Sequence, residues 1–390
     1  MSRLSGNWNY PTTIRFGAGR ITELPGTCRE LGMKRPLLVT DEGLARLPMI
    51  AEAAAACTAA GLDCVVYSHV NGNPTGENVE GGVLAFKAGN HDGVIAFGGG
   101  SALDAGKAVA FMANQTRPLW DFEDVGDNWL RAITDGLCPV IAVPTTSGTG
   151  SEVGRVSVIT DTASCVKKII FHPRFLPAVA LSDPELTVGL PAPVTAAVGM
   201  DALSHSIEAF FAPFYHPMAR GIAVEGCRLV KEWLPTAVQD GANIEARSHM
   251  MAASQAGAAA FQKGLGAMHA LAHSLGAVYN AHHGLLNAVL MPYVLKANAA
   301  AIAEDAAYLA NCLELDASLD GLTDWVLALR EEIGIPHTLA GMRLNAEEKD
   351  RIGAMAVADP SAGGNPVPFI AEQYAELFRC AVAGEWPELV

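Results

Sequence analysis

Basic residues are scarce in this chain: 26 Lys and Arg stand against 41 Asp and Glu, for a formal net charge of −15. Nucleic acids and anionic membrane surfaces are gripped by clustered Lys and Arg, so neither is an expected partner. Long apolar runs are missing too. Alanine-rich stretches such as AEAAAACTAAG and AGAAAF fall short of the ~18 uninterrupted apolar residues of a membrane span, and the opening MSRLSGNWNYPTTIRFGAGR lacks the apolar core of a secretory leader. A cytoplasmic location is therefore expected. The eight cysteines include no C-x-x-C pair, which argues against a disulfide framework or a zinc cluster and for reduced thiols. There is no G-x-G-x-x-G either, so the usual dinucleotide fingerprint is absent.

What is present is a folded, core-rich chain: half of its 390 residues are hydrophobic and 17% are charged. Up to about residue 185, β-rich runs alternate with helical ones. RPLLVTD, LDCVVYSHV, HDGVIAFGGG and CPVIAVPTT read as strands, with AEAAAACTAAG, ENVEGGVLAFKAG and SALDAGKAVAFMA as helices between them. That alternation predicts a parallel, Rossmann-like sheet with helices on both faces. Beyond Pro184 and the LPAP punctuation the strands stop and helical runs continue to the end. The expected organisation is an α/β domain over residues 1–187 and an all-helical domain over 188–390.

Two strand ends look suited to a ligand. VIAF runs into GGGSALDAGKA, where Gly98, Gly99 and Gly100 open a helix at Ser101. Such a turn either packs tightly or brings backbone N–H groups and a helix N-terminus against a pyrophosphate. PVIAVP runs into TTSGTGSE, also at a strand's carboxyl end, where open α/β sheets bind ligands. Asp41 closes RPLLVTD. It is either the N-cap of EGLARL or an acceptor for the two hydroxyls of an adenosine ribose, in which case it would repel a 2′-phosphate and favour NAD over NADP.

The second half concentrates imidazoles. AMHALAHSLGAVYNAHHG carries four histidines and no acid or base besides them. His269 and His273 are four apart and share a helical face, while Gly284 is where a helix would be expected to end or bend. Upstream, GMDALSHSIEAF puts Asp201 and His205 four apart. Alone that pair reads as surface decoration. Beside the histidine cluster it completes a set of Asp201, His205, His269 and His283, one carboxylate and three imidazoles, suited to Fe²⁺ or Zn²⁺. A cation so held would polarise an alcohol or aldehyde oxygen. His273 would enter the same cavity as a proton-relay imidazole. His282 has no assigned role, and the others, such as His91 and His337, read as structural or exposed.

These pieces, with FGAGR, NPTGENV, GGGSALDAGK, PTTSGTGSE, DPELT, GMDALSHSIEAF and GAMHALAHSLGAVYNAHHG in that order, make the chain resemble the iron-containing, group III alcohol dehydrogenases along essentially its whole length. The resemblance implies a dehydroquinate synthase-like architecture, with the active site in a cleft between a nucleotide-binding domain and a helical metal domain. It implies metal ligands at Asp201, His205, His269 and His283, and a non-ligand active-site histidine at His273. NAD contacts are implied at Asp41, Asn73, Gly99, Gly100, Ser101, Asp104, Thr145, Thr146, Thr149, Val158, Lys167 and Leu186. A homodimer or higher homo-oligomer is implied as well. Ser274 and His282 stand where many relatives have proline. Arg155 follows the cofactor loop and either faces the surface or enters the cleft, where it would suit a substrate with an anionic tail. The expected activity is the NAD-linked interconversion of a small primary alcohol (a short alcohol, a diol or an ω-hydroxy acid) and its aldehyde. A glycerol-dehydrogenase-like polyol oxidoreductase and a non-catalytic metal- or nucleotide-sensing protein are the alternatives.

Overall fold

The computed structural model describes residue 10 and residues 12–388. The stretch 1–9, part of the segment read above for a leader, lies outside the described residues, as do 11, 389 and 390. The chain divides into two compact units, one over Tyr10–Val188 and the other from Gly189 onward.

The first unit is an α/β unit in which β1 (Thr13–Phe16), α1 (Leu24–Glu30), β2 (Pro36–Val39), α2 (Pro48–Ala59), β3 (Val65–Tyr67), α3 (Gly76–Ala88), β4 (Gly93–Gly98), α4 (Gly100–Met112) and β5 (Val140–Pro144) follow in order. A hairpin of β6 (Val156–Asp161) and β7 (Val166–Phe171) and the strand β8 (Val179–Ser182) complete it. Six strands form one sheet in the order β1-β8-β5-β4-β2-β3, every pairing parallel. PLLV, GVIAFG and VIAVP are buried throughout, as parallel strands covered on both faces must be. Their side chains alternate between the faces. Leu37, Val39, Val94 and Ala96 join the core under α3 and α4, whereas Leu38, Ile95 and Phe97 join Leu24, Cys28 and Cys57 of α1 and α2 on the other side.

The sequence pattern missed β1, β8 and the β6–β7 hairpin. β1 and β8 are four residues each. The hairpin is a separate two-stranded sheet in which β6 alternates half-buried and buried positions as far as Ile159, but one buried position is Ser157, so the apolar residues of VSVI do not alternate. EGLARL contains a single short turn of helix at Leu44–Arg46.

The second unit is helical throughout its described residues: α5 (Ala192–Phe211), α6 (Pro217–Gln239), α7 (Ile244–Ala260), α8 (Ala267–Tyr279), α9 (His283–Ala297), α10 (Ala299–Cys312), α11 (Leu319–Glu332), α12 (Lys349–Ala358) and α13 (Ala371–Ala383). Its core is one continuous cluster running from Ala196 to Ala381. No single helix among the described residues is long and apolar enough to cross a membrane. All eight cysteines are free thiols.

The expected break at Gly284 is corrected here. α8 stops earlier, at Asn280 in the left-handed conformation, and His282 starts the next helix by accepting a hydrogen bond from Leu285 N–H at its Nδ1. Gly284 is the second residue of α9, and its lack of a side chain has a packing cause: a Cβ there would lie 2.4 Å from the Ala197 carbonyl of α5. The glycine brings α9 onto α5 at the level of Asp201.

α9 also contains Pro292, which cannot donate to the Ala288 carbonyl one turn back. Arg330, fully buried on α11, takes over: its Nη1 lies 3.1 Å from the Val289 oxygen and 3.4 Å from that of Ala288, while Nη2 meets His337 Nδ1 at 3.1 Å. The guanidinium closes the gap that the proline opens in the helix carrying His283. Arg330→Met fills similar volume without donors and is expected to lose about 1–3 kcal/mol through unsatisfied carbonyls. A lowered midpoint in thermal unfolding is the check.

Candidate metal centre and nucleotide-site loops

In the α/β unit, the chain runs from β2 outward to β3 and from β4 in the opposite direction to β5. The carboxyl ends of β2 and β4 therefore flank a topological switch point, the place where such sheets bind ligands. Asp41 stands at the first of these ends. Its Oδ1 accepts the N–H groups of Gly43 and Leu44, both at 2.9 Å, which is the capping role, and its Oδ2 lies 3.7 Å from where a Cβ on Gly98 would sit. One carboxylate thus both caps its loop and faces the glycine turn.

That turn starts α4 with no side-chain cap, leaving its first N–H groups to a ligand. Thr145 N–H donates to Gly98 O at 3.0 Å, Thr146 packs on Gly99, and Thr149 packs so closely on Gly100 that a Cβ there would lie 2.5 Å from its Cγ2. Ser101 Oγ donates to Gly72 O, bringing the segment of Asn73 to the start of α4. Asp104 lies one turn along α4 from Gly100. It accepts from Val158 N–H at 2.8 Å and from Ser151 Oγ, and it pairs with the fully buried Lys107 at 3.2 Å. Burial lowers the Lys107 pKa against the pull of Asp104, and the ammonium also donates to Ser151 O at 3.0 Å. Asp104 and Val158 therefore fasten the 145–156 loop to α4. Lys167 is on β7 opposite Thr160, and Leu186 packs into the core under α1 and α2. Arg155 is half-buried, its guanidinium 5.6 Å from the Phe171 ring centroid; burial lowers its pKa, opposed by Asp124.

In the helical unit, α5 aligns Asp201, His205 and Glu208 at spacings of four and three on one face. Glu208 was not singled out from the sequence, yet it organises the neighbouring helix. Its Oε2 accepts Gly266 N–H at 2.9 Å and its Oε1 accepts Met268 N–H at 2.7 Å, while Asn365 Oδ1 takes Ala267 N–H at 3.1 Å. These are N–H groups for which a helix start has no internal acceptor. Glu208 Oε2 also lies 2.6 Å from His269 Nδ1. A carboxylate that only accepts keeps the ring proton on Nδ1, so the lone pair is on Nε2. Burial disfavours the charged form of His269, but Glu208 favours it more, and its pKa is raised.

Donor atoms of Asp201, His205 and His269 all lie within 4.8 Å of one another, and all three side chains are buried. The His205 and His269 rings stack at 4.7 Å between centroids. His283, half-buried at the start of α9, borders the group with Nε2 3.6 Å from Asp201 Oδ1. His273, one turn along α8, stacks on His283 at 5.2 Å and has its own carboxylate, Asp359 Oδ2, at 2.9 Å from Nδ1. Asp359 is a second residue that sequence reading did not find.

The set fits a divalent cation on chemical grounds. Asp201 is 2% exposed, and among the described residues its carboxylate accepts one hydrogen bond, from the neutral amide of Asn287 at 2.8 Å. Withdrawing a carboxylate from water costs several kcal/mol, while one hydrogen bond to a charged group returns about 1.5–3 kcal/mol. A cation shared with the nearby imidazoles closes that deficit, and a carboxylate with imidazoles suits Fe²⁺ or Zn²⁺.

A doubly wound sheet with such loops, followed by a helical unit with this cluster, is the architecture of a metal-dependent oxidoreductase. Comparison with known proteins agrees. Residues 11–184 match the family model for iron-containing alcohol dehydrogenase, and residues 195–382 match that for the C-terminal part of the Fe-containing alcohol dehydrogenase family. The chain is 39% identical to 4-hydroxybutyrate dehydrogenase of Cupriavidus necator, covering 95% of this chain and 98% of that one. It is 34% identical to the NAD-dependent methanol dehydrogenase of Bacillus methanolicus, covering 96% and 100%. A crystal structure of 1,3-propanediol oxidoreductase superposes with a TM-score of 0.91 at 34% identity, over 96% of this chain and 100% of that one. The chain belongs to the iron-containing alcohol dehydrogenase family.

Burial alone would raise the pKa of Asp359, but His273 and the Ser361 N–H outweigh it, and the carboxyl is held below its ordinary 3.8. A lowered acid contributes stability that is complete at neutral pH, persists down to its unfolded value and is lost as pH falls through the folded one. Asp359→Asn is expected to be less stable at neutral pH and to lose less on acidification. Unfolding midpoints taken between about pH 5 and about pH 2 check this.

Proposed function

We propose that this protein is an iron-dependent, NAD-linked dehydrogenase that interconverts a small primary alcohol (a short alcohol, a diol or an ω-hydroxy acid) and its aldehyde. The observation that carries the reading is the buried convergence of Asp201, His205 and His269 in a chain of the iron-containing alcohol dehydrogenase family. Asp201, His205, His269 and His283 would hold the cation, and Asp41, the Gly99–Ser101 turn, Thr145, Thr146 and Thr149 would hold the dinucleotide. 4-Hydroxybutyrate, methanol and 1,3-propanediol, from the names of its relatives, are all primary alcohols.

Bound Fe²⁺ supplies Lewis acidity toward the substrate oxygen, and bound NAD supplies the hydride-accepting ring. The chain's own residues do the rest. Glu208 keeps the His269 proton on Nδ1, so that Nε2 is free to ligate. Asp359 does the same for His273, whose Nε2 then takes a proton from the alcohol or returns one to the aldehyde. Asp41 places negative charge beside the glycine turn and disfavours a 2′-phosphate, hence NAD over NADP. A homodimer or higher homo-oligomer in the cytoplasm belongs to the same reading.

The test is anaerobic assay of the purified protein, loaded with Fe²⁺, against a panel of short aldehydes and alcohols with NAD(H) and NADP(H). Turnover with NADH is expected, lost on chelation and restored by Fe²⁺. Turnover that persists undiminished in chelator-stripped protein overturns the metal reading. His269→Ala is expected to lose bound metal and rate together, and Glu208→Gln to weaken metal retention about 10–100-fold, measured as metal content after dialysis. Asp41→Gly should narrow the NADH preference, read as the ratio of kcat/KM for the two cofactors.

A further inference from the structure

Asn287 lies one helical turn beyond His283 on α9 and is fully buried. Its Nδ2 is 2.8 Å from Asp201 Oδ1, 3.2 Å from His269 Nε2 and 3.2 Å from His283 Nε2. One amide nitrogen therefore touches donor atoms from three helices, α5, α8 and α9. Its Oδ1 is buried with no hydrogen-bond partner among the described residues.

That arrangement is a poor way to fill space. A buried carbonyl oxygen without a partner is destabilising, and a leucine of similar volume would avoid it. What the amide adds is direction. An N–H to Asp201 Oδ1 sets the plane of the carboxylate and leaves its other oxygen uncommitted, while the neighbouring imidazole Nε2 atoms have one lone pair each, which a bound cation would take over from the amide. We propose that Asn287 is a positioning residue for the metal, holding the Asp201 carboxylate of α5 in register with the imidazoles of α8 and α9 so that three helices present their donors together. This rests on the metal reading above.

The experiment is an equilibrium titration of chelator-stripped protein with Co²⁺, followed by its visible d–d absorption against a competing chelator. Wild type, Asn287→Leu and Asn287→Ser are first compared by thermal unfolding without metal. Wild type is expected to bind. Asn287→Leu is expected to bind 10–100-fold more weakly, with altered band intensities that report a changed coordination geometry. Asn287→Ser, which keeps one hydroxyl donor and is smaller, should fall between the two and carries the test if the leucine variant does not fold. Affinity and spectrum unchanged in the variants overturn the proposal and leave the metal reading standing. So does tighter binding, which would mean that the amide competes with the cation. Absence of Co²⁺ binding by wild type overturns the metal reading itself.

Discussion

The Glu208 carboxylate is the constraint on which the helical unit's chemistry depends. It accepts two backbone N–H groups at the start of α8 and the Nδ1–H of His269, and it is buried. The same bonds that let α8 begin there also fix the ring orientation and tautomer of a candidate ligand. Because Asp201, His205 and Glu208 recur at helical spacing on α5, one face of one helix supplies two donors and the group that aims a third. Stability of the helix start and readiness of the imidazole cannot be separated at this carboxylate.

The α/β unit solves a different problem, keeping a loop close to a helix N-terminus without filling the space between them. Gly100 has no side chain, so Thr149 packs on the backbone; Asp104 and Lys107, one turn further along α4, tie the far end of the same loop through Ser151 and Val158. Of the residues expected to contact NAD, Asp41, Gly99, Gly100, Ser101, Thr145, Thr146 and Thr149 gather at the strand ends. Asp104 is joined to Val158 through that residue's backbone N–H, and Lys167 and Leu186 belong to elements whose placement no local pattern announces.

How much of this was legible in the sequence follows from distance along the chain. β2, β4 and β5 were readable because a central parallel strand is apolar at every position. Asp201, His205, His269 and His273 were readable because helical spacing puts each pair on one face. Asp359 was not, since its partner His273 is 86 residues away and nothing near it signals an imidazole. Glu208 left a trace, as the third member of a four-and-three spacing with Asp201 and His205, although its partner is 61 residues distant. Asn287 left a fainter one, four residues after His283. The hairpin of β6 and β7 was hidden because β6 buries a serine, Ser157, between two half-buried valines.

The dispersal of the donors along the chain has a thermodynamic side. A cation gripped by side chains on α5, α8 and α9 would act as a cross-link, closing a loop from residue 205 to residue 269 that Glu208 already fastens by hydrogen bonds. Such a closure restricts the unfolded ensemble more than the native one, so occupancy by the ion and resistance of this half of the molecule to heat become linked quantities, and scarcity of iron would be felt as fragility of the fold.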